Sequence, residues 1–135
     1  TNSWYGMVDN KSVLESEDDV AHIKWGGTWR IPTIEELREL EDKCTWEWIT
    51  QNGVYGYRVI GPNGNSIFLP AAGSRYTSSR EDDTGSYGCY WSSSLCRSSE
   101  SYEAYRLRFN SDFRNCNFEG YDLRRFGYTV RPVSN

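Results

Sequence analysis

Residues 90–133 read YWSSSLCRSSESYEAYRLRFNSDFRNCNFEGYDLRRFGYTVRPV, and the interpretation of the whole chain depends on this stretch. It opens and closes on strand-like runs. Between them it is rich in Tyr, Phe, Arg, Asn, Ser and Cys and poor in Ile, Val and Met. Such a mixture makes a poor hydrophobic core, whereas aromatic and arginine side chains are enriched in binding surfaces. We therefore expect the rest of the chain to be a scaffold that presents this segment.

One run inside this stretch alternates with the period of two that is typical of a β-strand with one buried face. In residues 104–109, Arg106 and Arg108 lie on the face that is expected to meet solvent or a ligand. The opposite, core-facing side chains are Tyr105, Leu107 and Phe109.

The rest of the stretch predicts a central strand over residues 90–94 and a final strand over residues 128–133. In the final strand, Val130 is expected in the core and Arg131 at the surface. Residues 110–127 contain several large aromatic side chains but show no helix or strand periodicity. We expect this segment to form an irregular loop that either displays those side chains or folds back on them.

The composition indicates one domain spanning residues 1–135, with a core that relies on six Trp, ten Tyr and five Phe. Twelve glycines indicate many turns and short strands, typical of a β-rich or α+β protein. A net charge of −4 argues against a nucleic-acid partner. No apolar run approaches the roughly 20 residues that a membrane span needs. The start at Thr1, without a signal peptide, suggests the C-terminal part of a longer protein.

The cysteines and acidic residues do not predict a metal site. None of the four cysteines forms a zinc-binding pair, and His22 is the only histidine. Cys44 has helical spacing from two leucines and is expected to be a buried free thiol. The other three leave open a disulfide of an exported protein or exposed thiols. A calcium site at acidic residues 17–19 is the alternative to helix N-terminal charge, which we favour. We expect neither a metal nor another cofactor.

The first half of the chain predicts two helices. Ser16 is the expected N-cap of the first, with acidic residues 17–19 in its first turn and its end at glycines 26–27. The second begins with a capping box between Thr33 and Glu36. The apolar stripe of the first helix is expected to contain Val20, Ile23 and Trp25. The buried face of the second is expected to contain Ile34, Leu37, Leu40 and Cys44.

After the second helix the pattern predicts an antiparallel three-stranded meander. Its strands cover residues 45–50, 55–60 and 66–69, with a hairpin signal at residues 61–65, and Pro70 ends the last strand because proline has no N–H for the ladder. A short strand near residues 4–8 and a long loop over residues 71–88 complete the prediction.

Six motifs spread over nearly the whole chain resemble a bacterial family that is abundant in gut Bacteroidetes and related to the Fibrobacter major paralogous domain. The resemblance implies an α+β, C-type-lectin-like fold with two helices, a twisted antiparallel sheet and long loops. The motifs are VDNK at 8–11, WGGTWRIPT at 25–33, CTWEW at 44–48, GPNGNSIFLPAAG at 61–73, YWSSS at 90–94 and VRPV at 130–133.

The resemblance does not extend to the calcium-dependent lectins or to catalysis. The calcium-site tripeptides of those lectins are absent, and Pro62-Asn63 follows Gly61 rather than an acid. A related branch of the fold, the formylglycine-generating enzymes, uses cysteines in a context that this sequence does not match. His22 has no evident nucleophile nearby in sequence. We therefore expect no enzymatic activity.

The same resemblance implies a variable protein of a diversity-generating retroelement, whose C-terminal segment is rewritten at template adenines. It implies a receptor-binding or adhesin domain, on a cell surface or secreted, or on a phage virion, with an unidentified protein or glycan ligand. The alternative is a non-diversified structural module of a bacterial cell-surface protein. The candidate diversified, ligand-binding positions are Cys96, Tyr105, Arg106, Arg108, Phe113, Asn115, Cys116, Phe118, Tyr121, Leu123 and Tyr128.

Overall fold

The computed structural model describes residues 12–73, 85–95, 103–115, 121–123 and 127–134, with only the backbone of 121–123. The described residues form two helices and mainly antiparallel strands, which confirms the predicted α+β class. In chain order the elements are α1 (Val20–Trp25), β1 (Trp29–Arg30), α2 (Ile34–Lys43), β2 (Thr45–Gln51), β3 (Val54–Ile60), β4 (Ser66–Pro70), β5 (Tyr87–Leu95), β6 (Glu103–Asn110), β7 (Arg114–Asn115), β8 (Tyr121–Leu123) and β9 (Val133–Ser134).

The meander is formed by β2, β3 and β4, in that order and antiparallel, as the sequence predicts. Its observed strands start or end within one residue of the predicted bounds. The hairpin between β3 and β4 closes through a hydrogen bond from the Gly61 N–H to the Asn65 carbonyl, 2.8 Å. Gly64 has a φ of 84°, a left-handed conformation that glycine adopts without steric cost.

A second sheet contains β5, β6 and β7, and β8 also pairs with β6. The register of β5 and β6 shifts between Trp91 and Leu95, so the serines at 92–94 form a bulge. The predicted loop over residues 71–88 is wrong at its end, because β5 begins at Tyr87. Tyr87 and Gly88 pair with Asn110 and Phe109 of β6, and this non-local pairing extends the strand.

The core lies where the two sheets and α2 meet, and it combines aromatic rings with at least as many aliphatic side chains, more than the composition predicts. Phe109, fully buried, lies with its ring centroid 5.2 Å from that of Tyr57 and stacks on Tyr90 at 5.9 Å. Trp46 and Trp48 pack edge-on against the Tyr57 ring. The buried members of this cluster are Ile34, Leu37, Tyr57, Val59, Leu69, Ala71, Tyr90, Leu107 and Phe109, with Leu40, Cys44, Trp46, Trp48, Ile67 and Tyr105 partly buried against it.

Helix α1 differs from its prediction at both its start and its buried face. Its N-cap is Asp19, not Ser16, and the helix begins at Val20. Ala21 is the buried helical residue. The predicted apolar stripe is exposed. The Asp19 carboxylate accepts hydrogen bonds from the Ala21 N–H in the first turn and from the Ile31 N–H, and these bonds orient the helix with Ala21 toward the interior. The exposed side chains are Val20 (42%), Ile23 (63%) and Trp25 (57%).

Residues 128–133 do not form the single strand that the sequence predicts. Thr129 bridges Tyr90 in parallel, and β9 pairs with β1 instead. Pro132 lies between the two pairings and has no N–H to continue a ladder. Val130 is half-buried and lies outside the core cluster, whereas Arg131 is exposed as predicted. The predicted strand near residues 4–8 lies outside the described residues.

Candidate functional site

The face of the second sheet that points away from the core carries the two arginines singled out in the sequence. Cross-strand partners share a face. Cys89 pairs with Arg108, Trp91 with Arg106, and Arg108 with Asn115. The alternating neighbours Tyr90, Leu107 and Phe109 belong to the core. We call this surface the arginine face, and its residues are Tyr87, Cys89, Trp91, Arg106, Arg108 and Asn115.

Arg108 lies at the centre of this face in an arrangement suited to ligand contact. Its guanidinium carbon is 5.3 Å from the centroid of the Tyr87 ring, within the range of a cation–π interaction. The side chain is half-buried. Its Nε is buried and has no hydrogen-bond partner among the described residues. A buried donor that is left unpaired costs about 1–3 kcal/mol, so an acceptor that reached it would be favoured.

An aromatic pair adjoins Arg106. The Trp91 and Tyr128 rings have centroids 4.5 Å apart at an angle of 35°. Backbone bonds hold them together, because the Trp91 N–H donates to the Thr129 carbonyl and the Thr129 N–H donates to the Cys89 carbonyl. Arg106 is half-buried opposite Trp91. Rigid aromatic surfaces beside arginines are the usual composition of binding hot spots.

A tight turn after β6 displays Phe113, which is 44% exposed. The Asn110 side-chain oxygen accepts from the Asp112 N–H at 2.8 Å and from the Phe113 N–H at 3.0 Å. The Asn110 N–H in turn donates to the Phe113 carbonyl at 3.0 Å. The turn therefore holds an exposed aromatic ring at the end of the sheet, and the buried Tyr57 hydroxyl ties it to the core by donating to the Asn110 carbonyl at 2.8 Å.

Apart from Phe113, the predicted site residues fall into four groups. Arg106, Arg108, Asn115 and Tyr128 lie on or next to the arginine face. Tyr105 packs against the core, as its alternation predicts, and is therefore not on that face. Tyr121 and Leu123 lie in β8, and their backbones pair with Tyr105 and Glu103 of β6. The predicted positions outside the described residues are Cys96, Cys116 and Phe118.

Three residues of the face were not predicted as part of it, Tyr87, Cys89 and Trp91. Tyr87 was missed because residues 71–88 were predicted to form a loop, although Tyr87, Cys89 and Trp91 already alternate in the sequence. Cys89 is fully buried. Cys44 is free as predicted, but only partly buried.

The two large pKa shifts among the described groups belong to other parts of the molecule. Two hydrogen bonds from Arg30, at 2.6 and 3.0 Å, lower the pKa of Glu36 to about 2. Burial raises the pKa of Tyr90 well above its usual range, and the charge of Arg131 opposes that rise. Glu36 caps α2 and Tyr90 lies in the core, so both shifts report structural roles.

Comparison with known proteins gives a family without an assigned role. The model described as "Domain of unknown function (DUF8237)" matches residues 32–133. No curated protein and no solved structure matches the chain.

Within the described ranges, no group of three or more His, Cys, Asp and Glu residues is arranged to hold a metal ion. Nor does any helix there have the length and apolar character needed to cross a membrane.

Proposed function

Since the chain belongs to the DUF8237 family, whose function is unknown, we propose from its own residues that it is a ligand-binding domain. The proposed domain is of the receptor-binding or adhesin kind, and its ligand contacts the arginine face. Its role is binding and not catalysis. The ligand is a protein or a glycan on a cell surface.

The observation that carries the proposal is the arrangement of Arg108. A guanidinium that is held over the Tyr87 ring, with a buried Nε lacking an acceptor among the described residues, is oriented before a ligand arrives. Pre-orientation lowers the entropy cost of binding. The neighbouring Trp91 and Tyr128 rings add apolar contact area at low entropy cost. Together these residues resemble a binding hot spot more than a part of the core.

The proposal includes a scaffold and an origin. The scaffold is C-type-lectin-like, with the core face of the second sheet as its fixed part. The arginine face and the loops beside it are the variable part, rewritten by a diversity-generating retroelement. The domain is displayed on a bacterial cell surface, secreted, or carried on a phage virion. The sequence motifs quoted above support this part of the proposal.

A second candidate is a non-diversified structural module of a cell-surface protein. The observation that favours it is burial on the arginine face, where Cys89 is fully buried and both arginines are half-buried. In that case the face packs within the protein and binds nothing. The exposed Phe113 and the Arg108 Nε, which no described residue pairs with, argue for the first candidate.

The test is an array of glycans and surface proteins probed with the wild type and with an Arg106→Ala/Arg108→Ala double variant. The matched control is Arg58→Ala, which removes an exposed arginine from β3, in the other sheet. We expect the double variant to lose the wild-type signals and the control to keep them. Equal signals from all three proteins would remove the arginine face from the site.

Diversification has a separate test in the coding DNA. A nearby reverse transcriptase gene, with a template repeat that differs from the codons of residues 90–133 only at adenines, is the expected finding. A neighbourhood without either element would leave a binding domain with a fixed surface.

A further inference from the structure

A cleft of about 480 Å³ lies on the core side of the second sheet, away from the arginine face. Its floor is formed by the buried side chains of Leu69, Tyr90 and Leu107. Leu40 of α2 and Ile67 of β4 are among its walls. Small-molecule sites usually have volumes of about 300–1,000 Å³ and mainly apolar walls. We call this space the α2 cleft.

The charged residues at the rim of the α2 cleft are mostly compensated. The Glu36 carboxylate accepts two hydrogen bonds from Arg30, at 2.6 and 3.0 Å. Glu39 pairs with Lys43 at 2.8 Å. Both carboxylates are thus engaged by cations of the protein itself. The remaining rim charge is that of Arg131.

Arg131 is exposed and makes neither a hydrogen bond nor an ion pair within the described part of the chain. Arg131 itself lines the α2 cleft, together with Tyr90 and Leu107 of the floor. An apolar floor with one uncompensated cation at its rim matches a ligand with an apolar body and one anionic group.

We propose that the α2 cleft binds a small amphipathic carboxylate, with its apolar chain against Leu40, Ile67 and Leu107 and its carboxylate at Arg131. This site is independent of the arginine face, because Tyr90 and Leu107 belong to the core face of β5 and β6. The proposal for the α2 cleft can therefore be tested independently of the proposed binding of a cell-surface ligand.

The test uses decanoate as the probe ligand and decanol as its uncharged counterpart. Each displaces the fluorescent anion anilinonaphthalene sulfonate from the protein. Arg131→Gln is expected to weaken decanoate binding about tenfold, as for the loss of one charge-assisted hydrogen bond, and to leave decanol unchanged. Leu40→Trp fills the cleft and is expected to abolish both. Arg58→Gln, in β3, is the charge-matched control and is expected to bind like the wild type.

A second readout does not depend on the dye or on a tolerated core substitution. Cys44 lines the α2 cleft and is a half-buried free thiol. Decanoate is expected to slow its alkylation by iodoacetamide in the wild type, as followed by peptide mass spectrometry. Unchanged Cys44 alkylation at saturating decanoate would overturn the proposal. So would equal decanoate affinity for the wild type and Arg131→Gln, or no displacement at submillimolar decanoate.

Discussion

The carboxylate of Asp19 joins two segments of the chain that no sequence pattern connects. Its Oδ1 accepts from the Ala21 and His22 N–H groups at 2.8 and 3.3 Å, and its Oδ2 accepts from the Ile31 N–H at 2.8 Å. The residue is 3% exposed. The short helix α1 therefore owes its position to one side chain rather than to an apolar stripe.

Asp19→Ala is expected to lower the free energy of unfolding by about 2–3 kcal/mol, because it removes a helix cap and leaves the buried Ile31 N–H unpaired. Urea unfolding followed by fluorescence measures the change. The matched control is Asp18→Ala, an exposed neighbour whose loss is expected to cost less than about 0.5 kcal/mol. Equal effects of the two substitutions would contradict this role of Asp19.

Glu36 is the second residue whose position depends on more than its own helix. Its side chain closes the capping box with Thr33 and also binds Arg30 through both oxygens. The hydrogen bonds from Arg30 lower its pKa from 4.5 to about 2. The unfolded chain therefore takes up this proton first as the pH falls. The stabilisation by Glu36 is complete above pH 4.5 and is lost as the pH falls toward 2.

Glu36→Gln is expected to remove this pH dependence. Because the Glu36 side chain is 38% exposed and screened by solvent, the effect is expected to be about 0.5–1 kcal/mol. Urea unfolding of both proteins at about pH 6 and about pH 3 measures it, and the stability gap between them is expected to narrow at the lower pH. Glu39→Gln, in an exposed pair with Lys43, is the control. A gap that stays constant with pH would refute the assignment.

At the scale of elements, the pairing of β5 with β6 depends on a glycine. Gly88 pairs with Phe109, whose ring lies over the glycine backbone. A Cβ atom at Gly88 would lie closer than 3.0 Å to ring carbons of Phe109. The fully buried ring also contacts Tyr57, Trp46 and Tyr90 and has little room to move.

Gly88→Ala is expected to destabilise the protein by about 1–3 kcal/mol through overpacking against Phe109. Phe109→Leu is expected to cost stability by itself, but to cost less when Gly88→Ala is already present, because the smaller side chain makes room for the new methyl group. Thermal and urea unfolding of the four proteins of this cycle measure the coupling. If the losses in unfolding free energy of Gly88→Ala and Phe109→Leu were strictly additive, the close approach of Gly88 and the Phe109 ring would not contribute to stability.

Some elements could be predicted from the sequence because their signals are local. The capping box and amphipathic face define α2, and alternation with a glycine-rich turn defines the meander. Other features could not be predicted, because distant residues decide them. Asp19 sets the start of α1 through Ile31, and pairing with Asn110 extends β5 to Tyr87. The final segment divides between β5 and β1, and its local pattern does not show this.

For the molecule as a whole, alternation in β6 was enough to separate the two faces of the second sheet. It predicted that Leu107 and Phe109 face the core and that Arg106 and Arg108 face away from it. The alternation in β6 could not predict that Tyr87 contacts Arg108 or that Tyr128 contacts Trp91, because these contacts join segments that are distant in sequence. The scaffold was therefore more predictable than the composition of the site.

The central claim is that one sheet has a structural face and a binding face, and adjacent residues of β6 test it. Leu107 is fully buried in the core cluster, and Arg108 of the arginine face carries a buried Nε that has no partner in the described part of the chain. Leu107→Ala is expected to lower the free energy of unfolding by about 2–5 kcal/mol. Arg108→Ala is expected to change it by no more than about 1 kcal/mol, because the side chain is half-buried outside the core cluster and loses one cation–π contact with Tyr87.

The most direct measurement compares the unfolding free energy and the array binding of these two single variants at a temperature where both are folded. We predict that Leu107→Ala loses stability but keeps the wild-type binding signals, and that Arg108→Ala keeps stability but loses them. The claim would be contradicted if Arg108→Ala were as destabilised as Leu107→Ala and still bound the array like the wild type.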